Sequence, residues 1–328
     1  MNDTPLISVI LPVYNAEKYI VDAINSILNQ TFRNFEFIIL NDGSKDNSES
    51  IIQSFTDERI RYFKHDNCGL AATLNKGIEY SKGKYIARQD QDDISYPERF
   101  AKQIEFLEKN PKICLVGTRA RIFTDDLKTY GYHNHPSESS VIMFDLMFNN
   151  PFVHSSVIFR KNIIDEVGLY NTTKGMYEDY NLWSRMMFNA GLANLAEVLV
   201  DYRHHDQGMS KASIFSTKNA LYGQCVLNIE TLLKRSALLI QDLPALIHGE
   251  FDRYKGSDLK DLIHCLSEME QVIVERFPNQ KELIKERKTY YLNILKSAHL
   301  SYRLKLNEKN VLKFYIIKIK NKIENLFR

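Results

Sequence analysis

The sequence predicts an α/β fold: a mostly parallel sheet flanked by helices, followed by a helical region. Three observations carry this. Short, nearly continuous apolar runs alternate four times with segments of helical apolar spacing in the first 110 residues, the pattern of βαβ units with right-handed crossovers. The first run, Ile7-Ser8-Val9-Ile10-Leu11, has the length and content of a strand buried on both faces. From about Ser210 onward the pattern is helical only, with Gly256 and Pro278 as breaks. The 328 residues thus divide into a first domain over 1–210, with halves of about 5–110 and 111–210, and a helical region over 211–328.

Taken in order, Asn15 is a candidate N-cap for a helix whose stripe is Ile20, Ile24, Ile27 and Leu28. Phe35 to Leu40 forms the second strand and runs into the turn Asn41-Asp42-Gly43-Ser44. Ile51 and Phe55 mark the next helix, and Ile60 to Phe63 the third strand. Leu70, Leu74 and Ile78 mark a helix closed by Gly83, and Tyr85-Ile86-Ala87 is the fourth strand. Ser95-Tyr96-Pro97-Glu98 reads as a capping box opening a helix with Phe100, Ile104 and Leu107 on one face. Beyond it come strands at Ile113 to Val116, Ala120 to Phe123, Ser156 to Phe159 and Leu195 to Val200. Helices are expected near Val141 to Phe148 and from Tyr180 to Ala190.

Composition narrows the function. Hydrophobic residues are 44% and charged residues 26%, so a sizeable core forms and disorder does not dominate. A net charge of +2 argues against a dedicated nucleic-acid binder. The charge is uneven: residues 1–210 hold 22 basic and 28 acidic residues, and residues 211–328 hold 21 and 13. The first part therefore tolerates cations and the second prefers anionic surfaces. Met1 to Pro5 has neither a basic start nor an apolar run, so no signal peptide is expected, and no apolar stretch nears the ~20 residues of a membrane span. Cys68, Cys114, Cys225 and Cys265 are far apart, which predicts reduced, buried thiols in a cytoplasmic protein rather than disulfides or a zinc knuckle.

In such sheets ligands bind beyond the carboxyl ends of the strands, so the loops after Val13, Leu40 and Gln89 are where chemistry is expected. Asp90-Gln91-Asp92-Asp93 directly follows a strand. In extended chain Asp90 and Asp92 point the same way, and crowded carboxylates persist where a cation or hydrogen bonds compensate. Oxygen ligands of this kind suit Mg2+ or Mn2+ together with substrate phosphates. An acidic helix entry also accounts for the triplet taken alone, but its place at the ligand edge favours the cation. Asp42 either accepts the imide N–H of a uracil ring or simply makes an Asp-Gly turn. Pro12-Val13-Tyr14-Asn15 offers backbone groups and an aromatic face for a base, or an ordinary strand-to-helix turn. Glu178-Asp179 opens a helix, where a carboxylate acts as a general base or complements the helix dipole. His204 and His205, and more weakly His154, are candidate metal or phosphate ligands that an exposed histidine would equally explain.

These motifs, with the run from Asn67-Cys68-Gly69-Leu70 to Asn75-Lys76-Gly77-Ile78 and Gly83-Lys84-Tyr85-Ile86-Ala87, occur in an order that resembles the family 2 glycosyltransferases, inverting enzymes of the GT-A fold. The resemblance covers roughly residues 5–210. Tyr85-Ile86-Ala87-Arg88 before the acidic motif, with Tyr202-Arg203 and a histidine later, looks most like bacterial enzymes that extend lipo-oligosaccharide or polysaccharide with N-acetylglucosamine or N-acetylgalactosamine from UDP-sugars in β-linkage. The resemblance implies that the first half of the domain binds the nucleotide and the second the acceptor. It implies that Pro12 and Tyr14 line the nucleotide site and that Asp42 reads the uracil. It makes Asp90 and Asp92 a DxD motif, with Asp92 the direct ligand of Mn2+ or Mg2+ and Asp90 nearer the ribose. Asp179 matches the catalytic base with Glu178 beside it, and His205 matches a position that in some members adds a ligand to the metal or diphosphate. Gln91 stands where a small residue is usual, which implies an altered donor-sugar pocket, and His204 beside His205 leaves the choice of histidine open.

The partners so implied are a UDP-sugar donor and a lipid-linked glycan acceptor, at the inner face of a bacterial plasma membrane. Residues 303–328 fit that location: Leu312, Ile316, Ile319, Ile323 and Leu326 share a helical stripe rich in flanking lysines, a basic amphipathic tail for an anionic membrane surface. Packing of the same stripe on the enzyme's own helices is the other reading. Two further functions are weighed. A sugar-1-phosphate nucleotidyltransferase needs a glycine-rich phosphate loop, and Pro12-Val13-Tyr14-Asn15-Ala16-Glu17 has no glycine. A non-catalytic carbohydrate-binding protein on the same fold would have shed carboxylates, yet Asp42, Asp90, Asp92 and Asp179 are all present.

Overall fold

Strand β1 (Ile7–Val13) is buried along its whole length, and it pairs in parallel with β2 (Phe35–Asp42) on one side and β4 (Tyr85–Arg88) on the other. The computed structural model of the chain describes residues 4–173, 177–205, 214–235, 242–249 and 254–303. The amphipathic tail over 304–328 lies outside them. The described residues fall into two compact units, one of 1–142 with 150–217 and one of 143–149 with 218–328.

In the first unit the strand order is β3-β2-β1-β4-β8-β6-β9-β5, with β7 on β6. Here β3 is Ile60–His65, β5 Ile94–Ser95, β6 Ile113–Phe123, β7 Thr129–His133, β8 Ile158–Arg160 and β9 Gly191–Arg203. The β3-β2-β1-β4 half is parallel, as the βαβ pattern requires. The other half is mixed: β8 runs antiparallel to β4 and β6, and β5 antiparallel to β9. Successive strands move outward from β1 to β3 and the chain then returns to β4 on the other side of β1. The crevice of the sheet therefore opens between the ends of β1 and β4.

Pro12 marks that opening. Ile10 faces β4, since its carbonyl accepts the N–H of Gln89, and Pro12 has the same parity along the strand. Register with β4 stops at Ile10 opposite Arg88, so the proline's missing N–H falls where the two strands have already parted. Behind the strands, Ile7, Val9, Leu11, Ile20, Ile24, Phe37, Ile39, Phe100 and Leu107 form one buried cluster under helices α1 (Ile20–Leu28) and α4 (Arg99–Lys109). On the opposite face α3 (Leu70–Tyr80) lies so near that a Cβ on Gly77 would come within 2.5 Å of the Ile10 side chain.

Several local expectations are corrected. Asn15 does not cap α1; Tyr19 holds the N-cap position, and Asn15 sits at φ 50° with its Oδ1 accepting from the Lys45 N–H. Ser95 is no capping-box residue: it belongs to β5, and α4 starts at Arg99. The Ser95 hydroxyl instead donates to Gln89, because a buried hydroxyl is drawn to a buried amide. The strands expected at Ile113 to Val116 and Ala120 to Phe123 are one continuous strand, and the exposed β7 that pairs with it went unread because its tyrosines and glycine carry no apolar alternation. The strand at Leu195 to Val200 is far longer, and the helix near Val141 to Phe148 is Ser139–Asp145.

The second unit is helical among the described residues, with the greater part of helix Ile214–Leu233 and helices Asp242–Ile247, Leu259–Arg276 and Lys281–Arg303. Gly256 takes φ 94° before the third, and Pro278 opens a 3-10 turn after it, so both predicted breaks fall between helices. Buried Asp145 pairs with Arg287 and accepts from the Tyr291 hydroxyl at 3.1 Å, while the Tyr291 ring packs on Phe144 and Phe148. Among the described residues no helix is long and apolar enough to cross a membrane.

Candidate active site

The acidic loop leaves β4 at Arg88, so Asp90 and Asp92 lie in a turn rather than in extended chain. Their separation is built by partners instead. The fully buried Arg88 guanidinium holds Asp90 Oδ1 at 2.5 Å, and the Ser155 hydroxyl lies 2.6 Å from Asp90 Oδ2. Burial alone would push the Asp90 carboxyl up, but Arg88 and Ser155 hold it below the usual carboxylate range. Asp92 goes the other way: burial and then the Asp90 charge raise it, against the pull of His205, whose Nε2 lies 2.8 Å from Asp92 Oδ2. Gln91 turns aside. Its amide pairs twice with the Tyr14 backbone, accepting the N–H at 2.8 Å and donating to the carbonyl at 3.2 Å. The loop after β1 and the acidic loop are thereby fastened across the gap beside Pro12, and the Tyr14 ring stands half exposed at its edge.

Asp93 is fully buried and was not singled out by the sequence. Its Oδ1 accepts the Arg203 N–H at 2.8 Å and its Oδ2 is in hydrogen-bond contact with the Ser155 hydroxyl. The one Ser155 hydroxyl is thus shared between Asp90 Oδ2 and Asp93 Oδ2. Burial and the charges of Asp92 and Asp90 push the Asp93 carboxyl well above the usual range. Asparagine keeps the shape of the side chain and an oxygen for the Arg203 N–H, without a buried charge. Asp93→Asn is accordingly expected to melt within a few degrees of the native protein at pH 7. Asp93→Ala, which strands the Arg203 N–H and the serine, should lose about 2–4 kcal/mol and roughly 10 °C in thermal unfolding.

Arg203 is the other anchor at this end. Its Nε donates to the Asp92 carbonyl at 2.9 Å, and its guanidinium stacks on Tyr19 and Phe123. This fixes the end of β9 and separates the two histidines that follow. His205 is carried onto Asp92, with its ring against Tyr19, whereas His204 stacks on Tyr130 at 5.2 Å, away from the carboxylates. His205 Nδ1 is buried with no hydrogen-bond partner. A carboxylate oxygen and an imidazole nitrogen in contact, with the other ring nitrogen unpartnered, fit a divalent ion, and the nitrogen suits Mn2+ better than Mg2+. Asp90, with both oxygens already engaged, is less available as a direct ligand than Asp92.

Glu178 and Asp179 begin α7 (Glu178–Asn189). Asp179 Oδ2 accepts from the Asn150 amide at 2.7 Å and Oδ1 from the Tyr180 N–H at 2.6 Å. Burial pushes Asp179 up to about 6 against those bonds, with Asp90 adding to the rise, and burial with the Asp179 charge pushes Glu178 up to about 7. Asp42, at the end of β2, uses its oxygens to accept the N–H groups of Cys68 (2.7 Å) and Gly69 (3.0 Å) at the start of α3. Each oxygen keeps a second lone pair. His154 is a core residue: burial and the nearby Arg88 hold it down at about 3, neutral, with Nε2 3.1 Å from the Tyr170 hydroxyl.

The structure thus gathers Asp90, Gln91, Asp92, His205 and Tyr14 around the β1–β4 opening and leaves His204 and His154 out. Arg88, Asp93, Asn150, Ser155 and Arg203 are the supporting residues that sequence reasoning passed over. Arg88, Asp93 and Arg203 stood within motifs without being given a role, whereas Asn150 and Ser155 carried no local signal.

Comparison with known proteins decides the family. An uncharacterized glycosyltransferase of Haemophilus influenzae is 36% identical over 228 residues, 66% of this chain and 70% of the relative. The chain belongs to glycosyltransferase family 2. The family described as Glycosyl transferase family 2 matches residues 8–168 of this glycosyltransferase. The putative glycosyltransferase EpsE of Bacillus subtilis is 33% identical over 67% of the chain and 81% of its own length. For the O-antigen biosynthesis glycosyltransferase WbnJ of Escherichia coli the figures are 32%, 66% and 87%. Among solved structures, S. aureus TarS 1–349 in complex with UDP-GlcNAc superposes with a TM-score of 0.60 at 17% identity, covering 91% of each chain. The mannosyltransferase PcManGT of Pyrobaculum calidifontis, in complex with GDP-Man and Mn2+, gives 0.53 at 13% identity over 93% of this chain and 88% of its own. The glycosyltransferase therefore has the GT-A fold, with a helical C-terminal region.

Proposed function

We propose that the glycosyltransferase moves a hexose or N-acetylhexosamine from a UDP-sugar to a hydroxyl of a growing bacterial surface glycan, with inversion at the anomeric carbon. The observation that carries the reading is the contact of Asp92 Oδ2 with His205 Nε2 at 2.8 Å beside the β1–β4 opening; the Asp90 charge there raises both Asp92 and Asp179, which supports a cation-ready pair with a basic carboxyl nearby. TarS bound to UDP-GlcNAc and the O-antigen role in the name of WbnJ support the donor and the acceptor class.

In this reading the Tyr14 ring and Asp42 take the base, the latter through its unused lone pairs. Asp92 and His205, with Asp90 behind them, hold Mn2+ or Mg2+, which when bound neutralises charge building on the UDP leaving group. Asp179 accepts the proton of the acceptor hydroxyl as that oxygen attacks C1 from the face opposite the diphosphate. One displacement turns an α-linked donor into a β-glycoside, and no enzyme-bound sugar forms. A carboxyl near 6 suits this task, since it is ionised at neutral pH yet basic enough to take a proton.

The test is a panel of UDP-, GDP- and dTDP-sugars with Mn2+, scored for nucleotide release. Turnover of one UDP-sugar alone, stopped by EDTA, supports the proposal. Consumption of no donor, even with acceptor extracts present, overturns it in favour of a binding protein.

A further inference from the structure

Cys68 does not match the expectation of a buried thiol: it is exposed, and the other three cysteines are buried. It stands beside His65 and Asp42, and one ligand atom from each of the three residues lies within 4.8 Å of the others. The pairwise geometry is informative. His65 Nδ1 is 3.3 Å from Asp42 Oδ1 and 3.6 Å from Cys68 Sγ. A tetrahedral ion with bonds of about 2.0–2.1 Å to nitrogen and oxygen and about 2.3 Å to sulfur spans edges of about 3.3 Å and about 3.6 Å between those atoms. The three residues come from the ends of β2 and β3 and the loop just before α3, and Asp42 and His65 are partners in register. Two of them are thus fixed by the sheet and the third by its own N–H bond to Asp42.

We propose that Asp42, His65 and Cys68 form a binding site for a thiophilic divalent ion of the Zn2+ class, distinct from the oxygen-rich site at Asp92. Sulfur, nitrogen and oxygen donors select Zn2+ or Co2+ over Mg2+ or Mn2+. Binding takes the thiol proton of Cys68 into solvent, and an ion on Nδ1 requires the His65 ring proton to sit on Nε2, in place of the 2.9 Å contact of Nδ1 with the Asp66 carbonyl. Nε2 is buried with no partner, so no acceptor rewards that shift. With three protein ligands and an open fourth position, the site is one for an exchangeable ion rather than a structural one. On the reading of Asp42 given under the proposed function, the ion takes the carboxylate that would read the base, so ion and uridine exclude each other.

Titrating the full chain with Co2+ tests this. The expected result is a near-ultraviolet thiolate-to-cobalt charge-transfer band, bleached by added Zn2+, lost in Cys68→Ser and weakened about tenfold or more in midpoint by His65→Gln. Asp92→Ala should keep the band. No band in the native chain, or a band that survives Cys68→Ser, overturns the site. Uridine, which lacks the diphosphate and does not chelate the ion, should shift the midpoint to higher Co2+. An unmoved midpoint overturns the exclusion of the base, while the transferase reading is judged separately by the donor panel, which does not depend on Cys68.

Discussion

Asp179→Asn should lower sugar transfer about a thousandfold while leaving UDP binding nearly intact. The amide removes the proton acceptor and keeps the shape, and on the proposed reading Asp179 serves the acceptor hydroxyl rather than the nucleotide. Its neighbours make the substitution mild: asparagine retains an oxygen for either the Asn150 amide or the Tyr180 N–H that now hold the carboxylate. The native enzyme carries a matching pH signature. With Asp179 at about 6 beside Glu178 at about 7, the coupled pair must give up one proton to leave Asp179 as a base. Transfer should therefore fall as pH drops through 7 and 6, approaching about tenfold per pH unit below both values. Isothermal titration decides the assignment: a variant that no longer binds UDP, or one that still transfers at the native rate, removes Asp179 from the role.

Asp92→Ala is the second large effect, and it acts on binding. The substitution takes away the carboxylate that His205 touches, so the Mn2+-dependent part of UDP affinity should fall about a hundredfold, with little change when UDP is titrated in EDTA. The fold should not suffer. Asp92 is raised in the native state by burial and by Asp90, so its stability contribution is present below the usual carboxylate range and lost as pH rises. Removing it therefore relieves the metal-free protein at neutral pH, and its melting temperature in EDTA should hold or rise. A lowered melting temperature with equal loss of UDP binding in Mn2+ and EDTA would instead mark Asp92 as a structural residue.

Much of the first 110 residues was legible because the strands there are buried and the helices amphipathic; Ile7 to Leu11 and the stripe Ile20, Ile24, Ile27 were enough to place β1 and α1. The second half was less so. Strand β7 presents Tyr130 and Tyr132 to solvent and has no apolar face to read, and β8 is three residues long. Motif positions such as Asp92 and His205 could be picked by type and order. What could not be read was which groups share protons: that Asp93 belongs with Ser155 and Arg203, or that Gln91 closes on the Tyr14 backbone, depends on contacts between residues 62 to 110 positions apart. The capping-box signal at Ser95 failed for a related reason, since its hydroxyl is taken up by side chains, donating to Gln89 and accepting from Arg99.

The raised Asp93 carboxyl has a consequence for the whole molecule. A carboxyl raised by burial and by the charges of Asp92 and Asp90 stabilises the fold at low pH, and that contribution is lost as pH rises. The proposed role of Asp179 sets the opposite demand, because a base must lose its proton before it can act. On that reading chemistry limits the enzyme from the acid side, while the fold loses support toward the alkaline side.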